Sequence, residues 1–410
     1  MDFHQEDITT IHDFCIDINK LEEKIKQLEQ KRPTCLIIPI LYEEVEKLPL
    51  QQIVEALNKC DCVKQIIIPM AADNPEEYRK AAQFFSQLKT DHMLIWCNGK
   101  RVQKIIDEMK EIDLDLTGFR GKGMDAWLGL GVASLNSYAI ALHDADIVNY
   151  TPAIPLKLLY PIVSRDLNFF FNKGYYARVN LDKKTMHGRV YRLFVQPLMD
   201  TLHKELRCDS EILDYFRSFR YTLSGEFAMT SDLALNIRIP ADWGLEVGLL
   251  AEVYRNATFK RVCQTDLGFY DHKHKELGQD RTEGLCKMTG DIFSTLLRII
   301  TESSSTPISH PLLHSIQVKY KRRGQDLIRK YYTDALFNDL NFNRHEEETY
   351  VDMFSKVIMK SGEEYLDNPH DMLLPDWTRV LSAIPDLREQ ICYAAREDAR
   401  EFNGHVFEYK

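Results

Sequence analysis

The residues with most chemical reach in this chain sit in short clusters. His143-Asp144-Ala145-Asp146 directly follows the apolar run YAIAL at 138–142. Two carboxylates one residue apart, at the end of an extended segment, can both address one divalent cation and its phosphate ligands. Their hard oxygens suit magnesium or manganese. A bare Asp-x-Asp also serves as a turn or a helix cap, and its place at a strand end is what favours the metal–phosphate reading. Earlier in the chain, Gly121-Lys122-Gly123 stands ahead of the helical stretch MDAWLGLGVASL. A lysine between glycines lets the backbone come close while the ammonium reaches a phosphate. This is no Walker A loop, because the earlier glycine is missing and Gly123 stands where Ser or Thr belongs. Gly129 and Gly131 fall inside the predicted helix, which makes them close-packing positions rather than a dinucleotide fingerprint.

Three further clusters carry chemistry. Asp271-His272-Lys273-His274 follows the apolar segment DLGFY. On extended backbone His272 and His274 share a face and can share a metal, or one binds metal while its neighbours meet an anion. An exposed polar turn is the plain alternative. Leu223-Ser224-Gly225-Glu226-Phe227 is followed by Trp243-Gly244-Leu245-Glu246-Val247-Gly248, where Glu246 sits among apolar residues. Glu246 is either a stabilising charge at a helix N-terminus or a positioned active-site group. His187-Gly188-Arg189 precedes the helix VYRLFVQPL, where Gly188 and Arg189 form an anion seat or simply a surface arginine.

The elements that must position these clusters can be read from periodicity. Apolar, β-rich runs at 35–39, 65–69, 92–97 and 138–143 alternate with helical stretches near 48–59, 75–88, 101–110 and 124–135. That rhythm predicts βαβ crossovers and a mostly parallel sheet covered on both faces, with ligands beyond the carboxyl ends of the strands. Further on, the pattern predicts helices at 155–171, 188–206, 210–219 and 243–256 and short strands near 176–180 and 260–264. At the start, Ile8, Ile11, Phe14, Ile18, Leu21, Ile25 and Leu28 are spaced as an amphipathic helix over 8–30. TESSSTPISH at 301–310 reads as a linker, and 311–410 as helical. The first helix and the helical tail are candidate surfaces for a homodimer.

Composition bounds the function. The 410 residues carry 52 Lys+Arg against 62 Asp+Glu, a net charge of −10, which excludes non-specific nucleic-acid binding through net charge. Nine cysteines are scattered without a Cys-x-x-Cys pair, and Cys60-x-Cys62 alone is a poor metal clip. The acidic N-terminus lacks the features of a signal peptide, and no apolar run approaches the ~20 residues of a membrane span. The expectation is a reduced, soluble, cytoplasmic protein with no membrane partner.

In order, Gly-Lys-Gly at 121–123, Asp-x-Asp at 144–146, Gly188-Arg189-Val190 before a helix, LSGEFA at 223–228, WGLEVGLL at 243–250 and a histidine after a strand at 272 form a series. The series resembles the glucosyl-3-phosphoglycerate synthases, retaining glycosyltransferases of the GT-A fold related to mannosylglycerate-forming enzymes. The resemblance runs from about residue 35 to 300. It implies an α/β fold in which a Rossmann-like, nucleotide-sugar-binding sheet is flanked by helices. The chain then divides into an N-terminal helix at 1–32, a GT-A domain at 33–300 and a helical extension at 311–410. It also implies a UDP-glucose donor, a small anionic acceptor of the 3-phosphoglycerate kind, and Mg2+ or Mn2+ on the diphosphate.

By matching position, Asp146 is a metal ligand with Asp144 beside it, and His272 is the second protein ligand. Lys122 meets the nucleotide or diphosphate, while Pro39, Glu43 and Asp73 flank the nucleoside. Gly188, Arg189, Lys273 and His274 meet the acceptor. Ser224 and Gly225 line the reaction centre, and Glu246 stands near donor sugar and acceptor. The chain departs from the family at Tyr191, where the synthases have a small hydroxyl residue, and at His274, where they have an amide. The loop MAADNPEE also replaces a Ser-rich nucleoside loop. Mannosyl transfer or a glycerate acceptor is the alternative within the fold. A metal-dependent phosphohydrolase and a non-catalytic interaction module are the alternatives outside that chemistry. The expected product is glucosyl-3-phosphoglycerate or glucosylglycerate, a compatible solute or polysaccharide primer.

Overall fold

A computed structural model describes residues 3–206, 210–271, 280–304, 306–369 and 373–403. Its strands are β1 (Thr9–Ile11), β2 (Thr34–Ile37), β3 (Ile40–Leu41), β4 (Gln65–Ala71), β5 (Asp91–Trp96), β6 (Ala139–Leu142), β7 (Phe171–Asn180), β8 (Thr185–Met186), β9 (Phe227–Thr230) and β10 (Val262–Tyr270). They join one ten-stranded sheet in the order β1-β10-β7-β9-β6-β2-β4-β3, with β5 also on β4 and β8 on β7. The ladders are parallel except where β9 meets β6 and β7, and where β8 meets β7.

Alternation along the strands sends side chains to two cores, as a sheet buried on both faces requires. Cys35, Ile37, Ile67, Ile95, Ile140 and Leu142 point to one face, where helix Lys122–Ala133 and the helices after residue 190 pack. Leu36, Ile66, Ile68, Leu94, Ala139 and Ala141 point to the other, beneath helices Ile18–Leu28, Leu48–Leu57, Pro75–Phe85 and Ala153–Val163. The first core runs on past residue 300: Leu313, Ile316, Val351, Leu374 and Ile391 belong to it. The linker expected at 301–310 is shorter than that: helix Asp280–Ser303 runs to Ser303 and the next helix, His310–Phe337, starts at His310. The last helix, Leu387–Asn403, returns to pack on β5 and on helices Pro75–Phe85 and Lys100–Lys110.

Glycine makes this packing possible at Gly129 and Gly131, as the sequence suggested. A Cβ on Gly131 would lie 2.0 Å from the Trp377 ring, and one on Gly129 2.9 Å from Ile37 and Pro69.

Two expectations about elements fail. The segment 8–30 is not one helix: β1 occupies Thr9–Ile11 and helix starts only at Ile18, capped by Asp17. β-branched Ile8-Thr9-Thr10-Ile11 suits a strand, and Ile8 alternates into the core beside the β10 pairing. The side-chain amide of Gln5 bonds both backbone groups of Thr10, at 2.9 and 2.7 Å, so the outer edge of this strand is not bare. The helix expected over 155–171 ends at Val163, because the aromatic run Phe169-Phe170-Phe171 leads into β7 instead. The helix expected over 188–206 is present, but its first turn, Val190–Val195, is a π-helix.

Candidate active site

The carboxyl ends of β2, β4 and β6 deliver Pro39 and Glu43, Asp73, and Asp144 with Asp146 to one end of the sheet. β9 runs the other way, so the loop that opens it, Ser224-Gly225-Glu226, arrives at this same end: Leu142 pairs with Phe227. Gly225 touches the carboxylate of Asp144; a Cβ there would lie 2.6 Å from Asp144 Oδ2.

Lys122 joins three of the sequence clusters. Its Nζ lies 2.5 Å from Asp144 Oδ1 and 3.1 Å from Glu246 Oε1. Lys122 opens helix Lys122–Ala133 after Gly121, whose φ of +103° suits glycine. A Cβ on Gly123 would sit 2.1 Å from the Pro240 carbonyl oxygen, so the Gly-Lys-Gly corner is pressed onto the loop before Glu246. Glu246 lies in the first turn of helix Leu245–Asn256, the helix-start charge its sequence position allowed, and it pairs with Lys122. Burial pulls the Lys122 ammonium down, but Asp144 and Glu246 reverse that and hold its pKa raised.

Negative charge is otherwise in excess. Burial, then the charge of Asp144, push the Asp146 carboxyl up to about 6, against Arg178 and Lys122. Burial and Asp144 likewise push Glu226 up to about 7. The donor set fits a hard divalent cation: among the described residues the carboxylates of Asp144, Asp146, Glu226 and Glu246 outnumber the cations of Lys122, Lys173 and Arg178 that act on them. His143 sets the backbone beneath the pair. Its Nδ1 donates to the Asp144 carbonyl at 2.9 Å and its Nε2 accepts from Tyr150 Oη at 2.9 Å, the tautomer those partners demand. Burial lowers the His143 pKa to about 4, so the ring is neutral.

Several residues that shape the site carry no motif in the sequence. Lys173, on β7, is fully buried and donates to the Ser224 carbonyl at 2.7 Å; burial lowers it to about 8. Ser224 Oγ donates to Glu226 Oε2 at 2.9 Å and accepts from the Glu226 amide at 3.1 Å, which fixes the loop internally. Arg178 bonds Tyr221 Oη at 3.3 Å and acts on Asp146. A charged residue inside the aromatic run FFFNKGYYARV was the available signal for Lys173 and Arg178.

Of the proposed acceptor residues, Gly188 and Arg189 are among those described. Gly188 has φ +76°, and a Cβ there would lie 3.6 Å from the Arg178 side chain. Arg189 turns to the C-terminal helices: its guanidinium donates to Tyr350 Oη at 2.9 Å and pairs with Glu346 at 2.9 Å. Arg192 next to it forks onto Glu347 at 2.8 and 3.0 Å. Arg189, His187, Asn343 and Glu346 line a cavity of about 360 Å3. The Tyr191 ring packs edge-on against Tyr221, 4.8 Å between centroids. Glu43 and Asp73 are exposed, and Pro39 is half-buried. His272, Lys273 and His274 lie outside the described residues. Asp271, just before them, accepts the Val148 amide at 2.9 Å on its carbonyl, which ties the end of β10 to the segment carrying Asp146.

No family model matches the chain. The glucosyl-3-phosphoglycerate synthase of Methanococcoides burtonii is 61% identical over 402 residues, 98% of this chain and 99% of that protein. The synthase of the same name from Persephonella marina is 36% identical over 403 residues, 97% and 98% of the two chains. A solved structure of the Mycobacterium tuberculosis synthase, in complex with Mn2+, UDP-glucose and phosphoglyceric acid, superposes at TM-score 0.51 with 21% identity. That match covers 73% of this chain and 89% of the other, and it bears out the GT-A architecture. With two relatives matched end to end, and Lys122, Asp144, Gly225 and Glu246 converging at one end of its sheet, the chain belongs to the glucosyl-3-phosphoglycerate synthase family.

Proposed function

We propose that this protein transfers glucose, with retention, from UDP-glucose to 3-phosphoglycerate in a divalent-metal-dependent reaction. The observation that carries the reading is the meeting of three separate segments at Lys122, 2.5 Å from Asp144 and 3.1 Å from Glu246. A bound Mg2+ or Mn2+ would be held by Asp146, with Asp144 beside it and His272 following in the chain, and would neutralise charge on the departing diphosphate. Lys122 supplies a fixed cation to the same anion and exchanges its pairing with Asp144 for the diphosphate. The Ser224-Gly225 loop, held by Lys173, shapes the space for the sugar, and Glu246 orients hydroxyl groups of donor or acceptor. Gly188 borders the anion seat for the acceptor, which Arg189 joins by giving up its pairing with Glu346 and Tyr350. Pro39, Glu43 and Asp73 border the nucleoside.

The test is UDP release from UDP-glucose with Mg2+ or Mn2+, comparing 3-phosphoglycerate, glycerate and no acceptor. Release should require 3-phosphoglycerate, vanish with chelator, return with metal, and fall by at least ~100-fold in Asp146→Ala. Release driven equally well by glycerate would overturn the acceptor, and undiminished turnover in the variant would overturn the metal assignment.

The same reading carries a cytoplasmic setting, a compatible-solute product and a homodimer. No helix among the described residues is long and apolar enough to cross a membrane. Val318, Leu336 and Phe337 stand exposed on helix His310–Phe337, which supports a second copy there and makes sedimentation the check.

A further inference from the structure

Away from Lys122, a second cluster combines soft and hard donors. Cys60 and Cys62 follow helix Leu48–Leu57 in the turn that leads to β4. Both residues are buried, and their Sγ atoms lie 3.3 Å apart. The intervening Asp61 faces outward and pairs with Lys26 at 3.1 Å. Glu22, on helix Ile18–Leu28, reaches the same turn and accepts the Asp61 amide on Oε1 at 2.7 Å. One ligand atom from each of Glu22, Cys60 and Cys62 lies within 4.8 Å of the others. The Cys-x-Cys pair that is a poor clip by itself thus gains a third donor from a separate element. Cys60 also lines a cavity of about 790 Å3, with Asp61, Lys64, Gln65 and Asp91. Gln65 and Asp91 begin β4 and β5, so this cavity lies at the opposite end of the sheet from Asp144, and it offers an ion a way in.

We propose that Glu22, Cys60 and Cys62 form a second metal site, for a thiophilic divalent cation of the zinc kind, with water as the fourth ligand. Three protein donors and one solvent position make a familiar tetrahedral set. Metal–sulfur bonds of about 2.3 Å in a tetrahedron place sulfurs about 3.8 Å apart, so binding spreads the thiols by about half an ångström. Each S–H bond breaks and its proton passes to solvent, while each sulfur gives an electron pair to the metal; nothing is oxidised or reduced. The two thiolates, Glu22 and Asp61 bring four negative charges, which the cation and Lys26, 3.7 Å from Glu22 and 3.1 Å from Asp61, reduce to one, left on solvent-facing Asp61. Softness separates this site from the all-oxygen pair Asp144 and Asp146, which prefers Mg2+ or Mn2+. The bound ion would staple helix Ile18–Leu28 to the turn before β4.

The experiment titrates the reduced full-length chain with Co2+ in a large excess of Mg2+. One equivalent should develop thiolate-to-cobalt charge-transfer absorption that Zn2+ then bleaches. Cys60→Ser and Cys62→Ser should each lose that band, while Mg2+-dependent UDP release in the Cys60→Ser variant stays within about twofold of the parent. Glu22→Gln, which spares both thiols, should keep the band and weaken cobalt binding by about 10–100-fold. Absence of the band in the reduced protein, or its persistence when both cysteines are serine, would overturn the proposal. So would a thiol count showing Cys60 and Cys62 already joined as a disulfide that resists mild reduction. If the serine variants do not fold, the Glu22→Gln affinity decides: an unchanged value overturns the site.

Discussion

A methyl group at Gly225 would lie 2.6 Å from Asp144 Oδ2, closer than any Cβ contact can be. Gly225→Ala must therefore move the carboxylate that Lys122 holds, and misplacement of about 1 Å in such a constellation costs on the order of 100-fold. The expected outcome is a fall in turnover of about 10–100-fold with unchanged circular dichroism; full activity would show that Asp144 has room to retreat. Asp125 tests electrostatics in the same helix as Lys122. Burial raises its carboxyl from 3.8 to about 6, against a hydrogen bond from Cys97. Between those values the folded chain holds a proton that the unfolded chain has lost, so this group's contribution to stability falls as pH rises through 6. At alkaline pH the ionised carboxyl costs roughly 3 kcal/mol, which an amide of the same shape avoids. Asp125→Asn should raise the melting temperature clearly at pH 8 and hardly at pH 4; an equal gain at both would refute the assignment. Motif order made Asp144, Lys122 and Glu246 legible, because each stands at the boundary of an element. Lys173 and Arg178 were hidden because they sit mid-strand in β7, where only tertiary pairing reveals what a charged side chain meets.

Among the elements, helix Lys122–Ala133 depends most on a distant segment. Its Trp127 ring stacks on Trp377, 4.2 Å between centroids. Trp127 donates to the Pro375 carbonyl at 2.8 Å, and Trp377 returns a bond to the Trp127 carbonyl at 3.0 Å. Trp377→Ala should cost about 3–5 kcal/mol in urea unfolding and lower activity by loosening the helix that begins at Lys122. A loss below about 1 kcal/mol would mean that Leu374 and Val380 carry the contact instead. The parallel strands β2, β4, β5 and β6 could be read from sequence, since a strand buried on both faces is a short continuous apolar run. β1 could not: its apolar residues happen to continue the three-and-four spacing of the helix beyond, and only the β10 partner decides between the two. β9 was concealed for a related reason. Four residues of FAMT give no period, and their direction depends on neighbours far away in the chain.

At the scale of the whole molecule, one face of the sheet carries a core that runs from Ile8 to Ala395. Unfolding should accordingly be one cooperative step, with tryptophan fluorescence and far-ultraviolet circular dichroism giving the same midpoint in urea. Separate midpoints would show that the helices after residue 310 melt alone. The pairing of β1 with β10 brings a further consequence. Gln264 donates to Thr10 Oγ1 at 2.8 Å across 254 residues of chain. During synthesis the first strand leaves the ribosome long before its partner exists, at about 5–20 residues per second a delay of more than ~10 s. Through that interval Ile8 and Ile11 have no sheet to join. Until then the newborn chain carries an unpaired, β-branched strand, and the time when chaperones matter most to that strand is set by the translation of residues 262–270.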